Sequence, residues 1–162
     1  MACCTVDTPV GRLYIEESGG AICALRSARD GEMIDAQPGT LLDEAGMQLI
    51  AYFAGERTSF DLPLRLSGTP FDQLVLTQLC AVPFGQLRTY GEIAAAIGKP
   101  GAARAVGRAC GANPLLLRVP CHRIVGAAGR LTGFAAGLEM KRMLLRLEGH
   151  DVSDDRARHK RI

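Results

Sequence analysis

The sequence is poor in several residues on which common kinds of site depend. Its 162 residues include no tryptophan, only three histidines and no two cysteines at CxxC spacing. Structural zinc sites draw four ligands from closely spaced cysteines and histidines. The sequence therefore predicts no metal site.

Long apolar runs are absent as well. None is long enough to cross a bilayer, and the opening MACCTVD shows no basic segment followed by an apolar one. We therefore expect no transmembrane helix, no secretory signal, no membrane partner and a cytoplasmic location, or a nuclear one in a eukaryote. The six cysteines are then expected to be reduced thiols, since 48% hydrophobic residues supply a core without disulfides.

Charge is unevenly distributed along the chain. Residues 1–65 hold five basic and ten acidic residues, a net charge of −5, whereas residues 66–162 hold fourteen basic and seven acidic residues, a net charge of +7. A basic second half indicates a polyanionic partner, although a solvated surface ending in the basic stretch 156–161 would give the same excess.

The first half has the pattern of a small α+β domain. Residues 3–8, 12–17 and 21–27 read as short antiparallel strands joined by glycine-containing turns. Apolar residues recur at helical spacing over residues 41–54, after a candidate N-cap, Thr40. We place this domain at residues 1–65 and find no candidate chemistry in it.

The second half, residues 66–162, has a mostly helical pattern. Helices are predicted to begin at Thr69-Pro70, at the capping box of Thr89 and Glu92, and at Ala102. The last two are short and joined by a three-residue turn, as in a helix-turn-helix. A final amphipathic helix is predicted at 138–147, and 151–162 are predicted to form a flexible tail.

Cys121 is the candidate nucleophile. It stands in the run VPCHRIV, where Pro120 stiffens the backbone and His122 supplies a possible base. Neighbouring side chains on extended backbone point apart, so a bridging water is one way to connect them. A lone cysteine among apolar residues is equally well a small core residue, and both interpretations stay open on the residues alone.

Six motifs occur together in order: Thr89-Tyr90, the run AARAVG at 102–107, Asn113-Pro114, PCHR at 120–123, Gly133-Phe134, and LLRLEG at 144–149. Together they resemble the O6-alkylguanine-DNA alkyltransferases, closely over about residues 66–150 and weakly near Thr8. The resemblance implies a ribonuclease-H-like first domain and a (winged) helix-turn-helix in the second.

The resemblance also implies an activity and a partner. The protein would bind double-stranded DNA through the minor groove as a monomer without sequence specificity, flip out an O6-alkylguanine, or possibly an O4-alkylthymine, and move the alkyl group to its own cysteine. The thioether product is stable, so each molecule would react once. No metal or other cofactor is implied.

Site residues follow position by position from the same resemblance. Cys121 is the alkyl acceptor, His122 the base acting through water, Glu148 its orienting partner, and Asn113 a brace for the cysteine segment. Tyr90 would contact the phosphate and the flipped base. The implied DNA-binding residues are Thr89, Tyr90, Ala103, Arg104 as an intercalating finger, Arg108 and Arg123. The implied alkylguanine pocket comprises Tyr90, the backbone of Val119 and Cys121, Phe134, Ala135 and Ala136.

Two departures from the family pattern bear on specificity. Phe134 replaces a frequent tyrosine, and Ala135-Ala136 replaces a pair that often contains glycine or serine, so the methyl of Ala136 is expected to disfavour bulky groups such as benzyl. Two other functions remain possible: a module that recognises alkylated DNA without transfer, and a helix-turn-helix regulator.

Overall fold

A computed structural model of the chain describes residues 1–153 and 155–159, which fold as two compact units. Unit 1 contains Met1–Ser67 and Pro114–Arg118, and unit 2 contains Gly68–Asn113 and the described residues after Arg118. Residues 114–118, which the sequence places in the second domain, thus make their contacts with unit 1.

Unit 1 is built on an antiparallel meander of three strands, β1 (Ala2–Thr8), β2 (Gly11–Ser18) and β3 (Ala21–Ser27), in the order β1-β2-β3. Leu13 and Ile15 of β2 are fully buried, and Tyr14 between them is 9% exposed. Helix α1 (Leu41–Phe53) packs against β1 and β2. Its N-cap is Thr40, whose side chain accepts a hydrogen bond from the Asp43 amide.

Segment 114–118 joins unit 1 through the edge of β3. The Leu25 amide donates to the Pro114 carbonyl at 2.8 Å, and the Leu116 amide donates to the Leu25 carbonyl at 2.9 Å. Leu115, Leu116 and Leu117 are buried. The sequence did not reveal this pairing because β3 and the segment are almost ninety residues apart and no local signal connects them.

Unit 2 opens with three packed helices, α2 (Pro70–Cys80), α3 (Tyr90–Ala96) and α4 (Ala103–Gly111). Thr69 and Asp72 form one capping box, and Thr89 and Glu92 form another. Glycines and alanines fill α4 apart from Val106, the two arginines and Cys110, which lets the helix lie close to its neighbours. Helices α3 and α4 are the predicted helix-turn-helix pair.

A pair of two-residue parallel strands connects the helices to the cysteine. Strand β4 (Arg88–Thr89) runs directly into α3, and β5 (Ile124–Val125) directly follows a 3-10 turn at Cys121–Arg123. Thr89 lies opposite Val125. The register therefore fixes Tyr90, the first residue of α3, relative to the turn that carries Cys121.

Residues 151–153 and 156–158 form ordered strands, in contrast to the flexible tail that the sequence predicts for 151–162. After α5 (Leu138–Leu147), strands β6 (Asp151–Ser153) and β7 (Arg156–Arg158) pair antiparallel. Ala157 is buried in a cluster with Val125, Leu131 and Leu145, and apolar contact of this kind orders the segment. Residues 154 and 160–162 of the expected tail lie outside the described residues.

None of the helices in residues 1–153 and 155–159 combines the length and apolar character that crossing a membrane needs.

Candidate active site

Cys121 lies at the start of the 3-10 turn and is only 4% exposed. The side-chain amide of Asn113 donates to its Sγ at 3.1 Å and to the Val119 carbonyl at 3.0 Å. These two hydrogen bonds tie the Asn113 side chain to the cysteine segment. Burial raises the pKa of the Cys121 thiol, while the Asn113 hydrogen bond and the charge of Lys141 oppose that rise.

His122 is fully buried, and its Nε2 lies 2.6 Å from Oε2 of Glu148. A carboxylate partner selects the tautomer that carries its proton on Nε2, which leaves a lone pair on Nδ1. No described protein group hydrogen-bonds Nδ1. Burial lowers the pKa of His122 despite the nearby carboxylate, so the imidazole is neutral at pH 7 and can accept a proton.

Glu148 is held by more than the histidine. Burial alone would raise its pKa, but the hydrogen bonds from His122 and Arg123 and the charge of Arg123 outweigh burial and lower it. Arg123 donates to both carboxylate oxygens, from Nε at 2.7 Å and from Nη2 at 3.0 Å. The orienting carboxylate therefore stays ionised while it directs His122.

Arg123 is a correction to the predicted DNA-binding set. Only 6% of the residue is exposed, and its third nitrogen, Nη1, donates to the Val82 carbonyl at 2.7 Å. A guanidinium committed in this way to protein acceptors is not placed to reach a phosphate. Its position in the sequence, beside a histidine and in a basic half of the chain, gave no sign of the ion pair with Glu148.

An open cleft of about 570 Å³ lies between α3, α4 and the stretch that follows the second 3-10 turn (Ala127–Gly129). Its lining includes Tyr90, Ala103, Arg104, Thr132, Phe134 and Ala135. The cleft thus collects three of the six residues predicted for the alkylguanine pocket, Tyr90, Phe134 and Ala135, and three of the six predicted for DNA binding, Tyr90, Ala103 and Arg104. Arg104 is exposed at its edge.

Three predicted pocket residues do not line this cleft. Ala136 and the buried Val119 and Cys121 are outside its lining. The Val119 carbonyl also accepts two hydrogen bonds, from the Asn113 side chain and from the Cys121 amide at 2.8 Å. Both lone pairs of this carbonyl oxygen are thus used within the protein, and the reading of guanine by the backbone of Val119 and Cys121 stays a prediction.

The two remaining DNA-binding predictions lie on the helix-turn-helix. Arg108 is exposed, one turn after Arg104 on α4. Thr89 is the N-cap of α3, and its hydroxyl accepts the Glu92 amide hydrogen bond at 3.1 Å. Thr89 thus orients the start of the helix that presents Tyr90.

Sequence reasoning overlooked Lys141 and Thr132. Lys141 is 1% exposed, and its ammonium group donates to the Ile124 carbonyl at 2.6 Å and to the Thr132 carbonyl at 3.3 Å. Burial lowers its pKa to about 8. The available signal was a lysine in the apolar stripe of α5, three residues after Leu138 and three before Leu144.

No group of three or more potential His, Cys, Asp or Glu ligands is close enough to hold a metal ion within residues 1–153 and 155–159.

Comparisons with known proteins cover both units. The model of the 6-O-methylguanine DNA methyltransferase ribonuclease-like domain matches residues 1–66, and that of the same family's DNA binding domain matches residues 70–150. A methylated-DNA–protein-cysteine methyltransferase of Mycobacterium bovis is 47% identical over 149 residues, 89% of this chain and 90% of that protein. Its counterpart in Methanosarcina acetivorans is 56% identical over 106 residues, 65% and 68% of the two chains.

A solved structure adds a match in three dimensions. The structure of Mycobacterium tuberculosis OGT in complex with DNA superposes with a TM-score of 0.81 and 48% identity, covering 90% of this chain and 91% of that chain.

Proposed function

This chain belongs to the methylated-DNA–protein-cysteine methyltransferase family, and from that premise we propose how its own residues carry out the reaction. The protein repairs DNA by direct reversal of damage, moving the alkyl group of O6-alkylguanine to its own Cys121 in a single turnover. One observation carries the assignment of residues: a buried sulfur hydrogen-bonded by Asn113 is followed by a buried His122 whose Nε2 is engaged by Glu148.

Proton transfer from Cys121 is the first step. The thiol is protonated at rest because burial raises its pKa, and the thiolate is the reactive form. Nδ1 of His122 takes the proton, through a bridging water, and the ionised Glu148 stabilises the imidazolium that forms. The Asn113 amide, which already donates to Sγ, stabilises the negative sulfur.

The alkyl group is then displaced in one step. The Sγ–carbon bond forms as the bond between that carbon and O6 breaks, and the electron pair stays on guanine, which takes up a proton. Tyr90 lies in the cleft, and burial raises the pKa of its phenol, so it carries the proton needed to hydrogen-bond the departing base. The thioether has no route back to a thiolate, so each molecule reacts once.

DNA binding uses unit 2. We place the minor groove against α4, with Arg104 at the cleft entering the stack where the flipped base was and Arg108 contacting phosphate. Extruding the base costs a few kcal/mol, which is smallest for a damaged pair, so flipping itself favours the lesion. We also propose that the protein acts as a monomer and in the cytoplasm.

Intact-protein mass spectrometry after incubation with an O6-methylguanine duplex tests this function. We expect the wild-type mass to rise by one methyl group, with none added to Cys121→Ala. Cys110→Ala is the matched control, since Cys110 is also buried in unit 2, and it should still be methylated. Tight binding to the damaged duplex without any mass change would instead support recognition without transfer.

A further inference from the structure

The hydroxyl groups of Thr132 and Tyr90 meet inside the cleft. Their oxygens are 2.8 Å apart, and both residues line the cleft that takes the flipped base in the proposed function. Nothing in the reaction outlined above gives Thr132 a task. A hydroxyl pair of this length is a full hydrogen bond, so the two side chains are coupled.

The direction of that hydrogen bond decides what Tyr90 can do. A tyrosine hydroxyl has one proton to donate, besides lone pairs that accept. When Thr132 donates to the phenol oxygen, the phenol proton is left to point into the cleft. Donation by Thr132 also polarises the phenol O–H bond and strengthens it as a donor, as happens along chains of hydrogen bonds.

Lys141 fixes the backbone from which Thr132 projects. Its ammonium group joins the Thr132 carbonyl to the Ile124 carbonyl, three residues after Cys121. Lys141 is buried, so water cannot readily replace these carbonyls as hydrogen-bond acceptors of its ammonium group. The ammonium also lies 5.9 Å from the centre of the Tyr90 ring. One buried cation thus links the cysteine turn, the Thr132 backbone and the tyrosine.

We propose that Thr132 is a positioning residue for alkyl transfer, whose hydroxyl directs the phenol proton of Tyr90 toward the flipped base. This inference rests on the proposed function, because it concerns the same cleft and the same reaction. Thr132 acts through Tyr90 and does not touch the reacting carbon. Its contribution should therefore appear in the rate of transfer and vanish when the phenol hydroxyl is absent.

The test compares Thr132→Val, which keeps the shape and loses the hydroxyl, with Thr132→Ser, which keeps the hydroxyl. Single-turnover transfer is measured at saturating O6-methylguanine duplex, and duplex affinity is measured separately. We expect Thr132→Val to slow transfer about tenfold, the effect of one lost hydrogen bond, with affinity within about twofold of wild type. Thr132→Ser should restore most of the rate. Thr77→Val, on the exposed face of α2, is the matched control.

A double mutant separates positioning from packing. In Tyr90→Phe the phenol hydroxyl is gone, so adding Thr132→Val should slow transfer no further. The same tenfold loss in both backgrounds would overturn the proposal, as would an unchanged rate in Thr132→Val alone. Thr132→Ala replaces Thr132→Val should the valine variant misfold.

Methylation of the wild-type protein distinguishes a failure of the proposed function from a failure of the role proposed for Thr132. Wild-type protein that adds no methyl group overturns the proposed function and this inference together. Wild-type protein that is methylated, with Thr132→Val equally fast, overturns only the role of Thr132.

Discussion

Unit 1 encloses one polar side chain among its buried residues, Gln48, whereas unit 2 encloses six: Asn113, His122, Arg123, Lys141, Glu148 and His150. That count covers the described residues. In unit 1, the Gln48 side chain holds a loop in place. Its Nε2 donates to the Asp61 carbonyl, and its Oε1 accepts from the Asp61 amide. Most of the buried polar side chains in unit 2 surround or support Cys121. Buried ionisable groups are costly, so their concentration in one unit marks where the chemistry is.

The two units also differ in how they hold ion pairs. In unit 1, Arg26 and Glu32 pair at 2.8 Å with both side chains partly exposed. In unit 2, Arg123 and Glu148 pair at 2.7 Å with the carboxylate wholly buried. An exposed pair adds little to stability, and a buried pair is costly to break, so equivalent substitutions should have unequal effects.

Glu148→Gln should have the largest effect on the free energy of unfolding. It leaves the buried Arg123 guanidinium without its counter-charge, which typically costs about 3–5 kcal/mol of unfolding free energy. Urea denaturation monitored by circular dichroism measures the loss. Glu32→Gln is the matched variant in unit 1 and should lose far less, because water screens that pair. Equal losses would show that burial does not distinguish the two pairs.

Gly129→Ala should have the second-largest effect on the free energy of unfolding. Gly39→Ala is the matched variant in unit 1. Both glycines have φ near +78°, which strains any other residue by about 1–2 kcal/mol. At Gly129 a new Cβ would also overlap the Ala157 carbonyl oxygen of β7, whereas nothing lies within 4 Å at Gly39. Overpacking adds about 1–3 kcal/mol at Gly129, again measured by urea denaturation. Equal losses would mean that β7 moves away at little cost.

Lowering the pH should destabilise unit 2 more than unit 1, because the buried histidines lie in unit 2. Burial lowers the pKa of His122, and burial with the nearby His159 lowers that of His150, so both are neutral in the folded state. The unfolded chain binds these protons below about pH 6.5, so stability is complete above that pH and falls below it, by at most about 1.4 kcal/mol per pH unit for each histidine.

Hydrogen exchange followed by mass spectrometry at pH 7.5 and pH 5.5 measures this effect. After correction for the intrinsic exchange rate, protection should fall more in unit 2 than in unit 1, which has no histidine. His150→Gln should halve the difference. An equal fall in the two units would exclude the histidines as its source.

The smallest expected effect is on the salt dependence of DNA affinity. Arg108→Gln should reduce the slope of log affinity against log salt by about 0.9 for duplex DNA, if Arg108 neutralises one phosphate. Arg29→Gln removes an exposed arginine from unit 1 and should leave the slope unchanged. A fluorescence anisotropy titration at several salt concentrations measures both. Equal slopes for Arg108→Gln and wild type would remove this residue from the DNA contacts.

Local structure was the part that the sequence predicted well. The three strands, α1 and the final helix follow from periodicity and from glycines at turns, and Leu138–Leu147 agrees at both ends. The N-cap at Thr69 and the capping box at Thr89 are short-range features, so they too could be read directly. Structures that depend on distant partners, such as the 114–118 segment and the β6–β7 hairpin, could not.

The site was predictable only in outline. The residue types around Cys121 suggested a nucleophile, but Glu148 was connected to His122 through the family resemblance, since nothing local links residues 26 apart. Arg123 was misjudged because its role depends on hydrogen bonds that only the folded chain makes. Lys141 was passed over because a lysine is usually at the surface.

Because residues 114–118 belong to unit 1, this unit cannot be completed until they have been synthesised. A ribosome finishes Ser67 and then makes all of 68–113 before it supplies the strand that pairs with β3. At roughly 5–20 residues per second, that delay is about 3–10 s. Throughout it, the edge of β3 at Leu25 awaits its partner, so the amino-terminal half of this protein is completed only when the nucleophile itself is about to be translated.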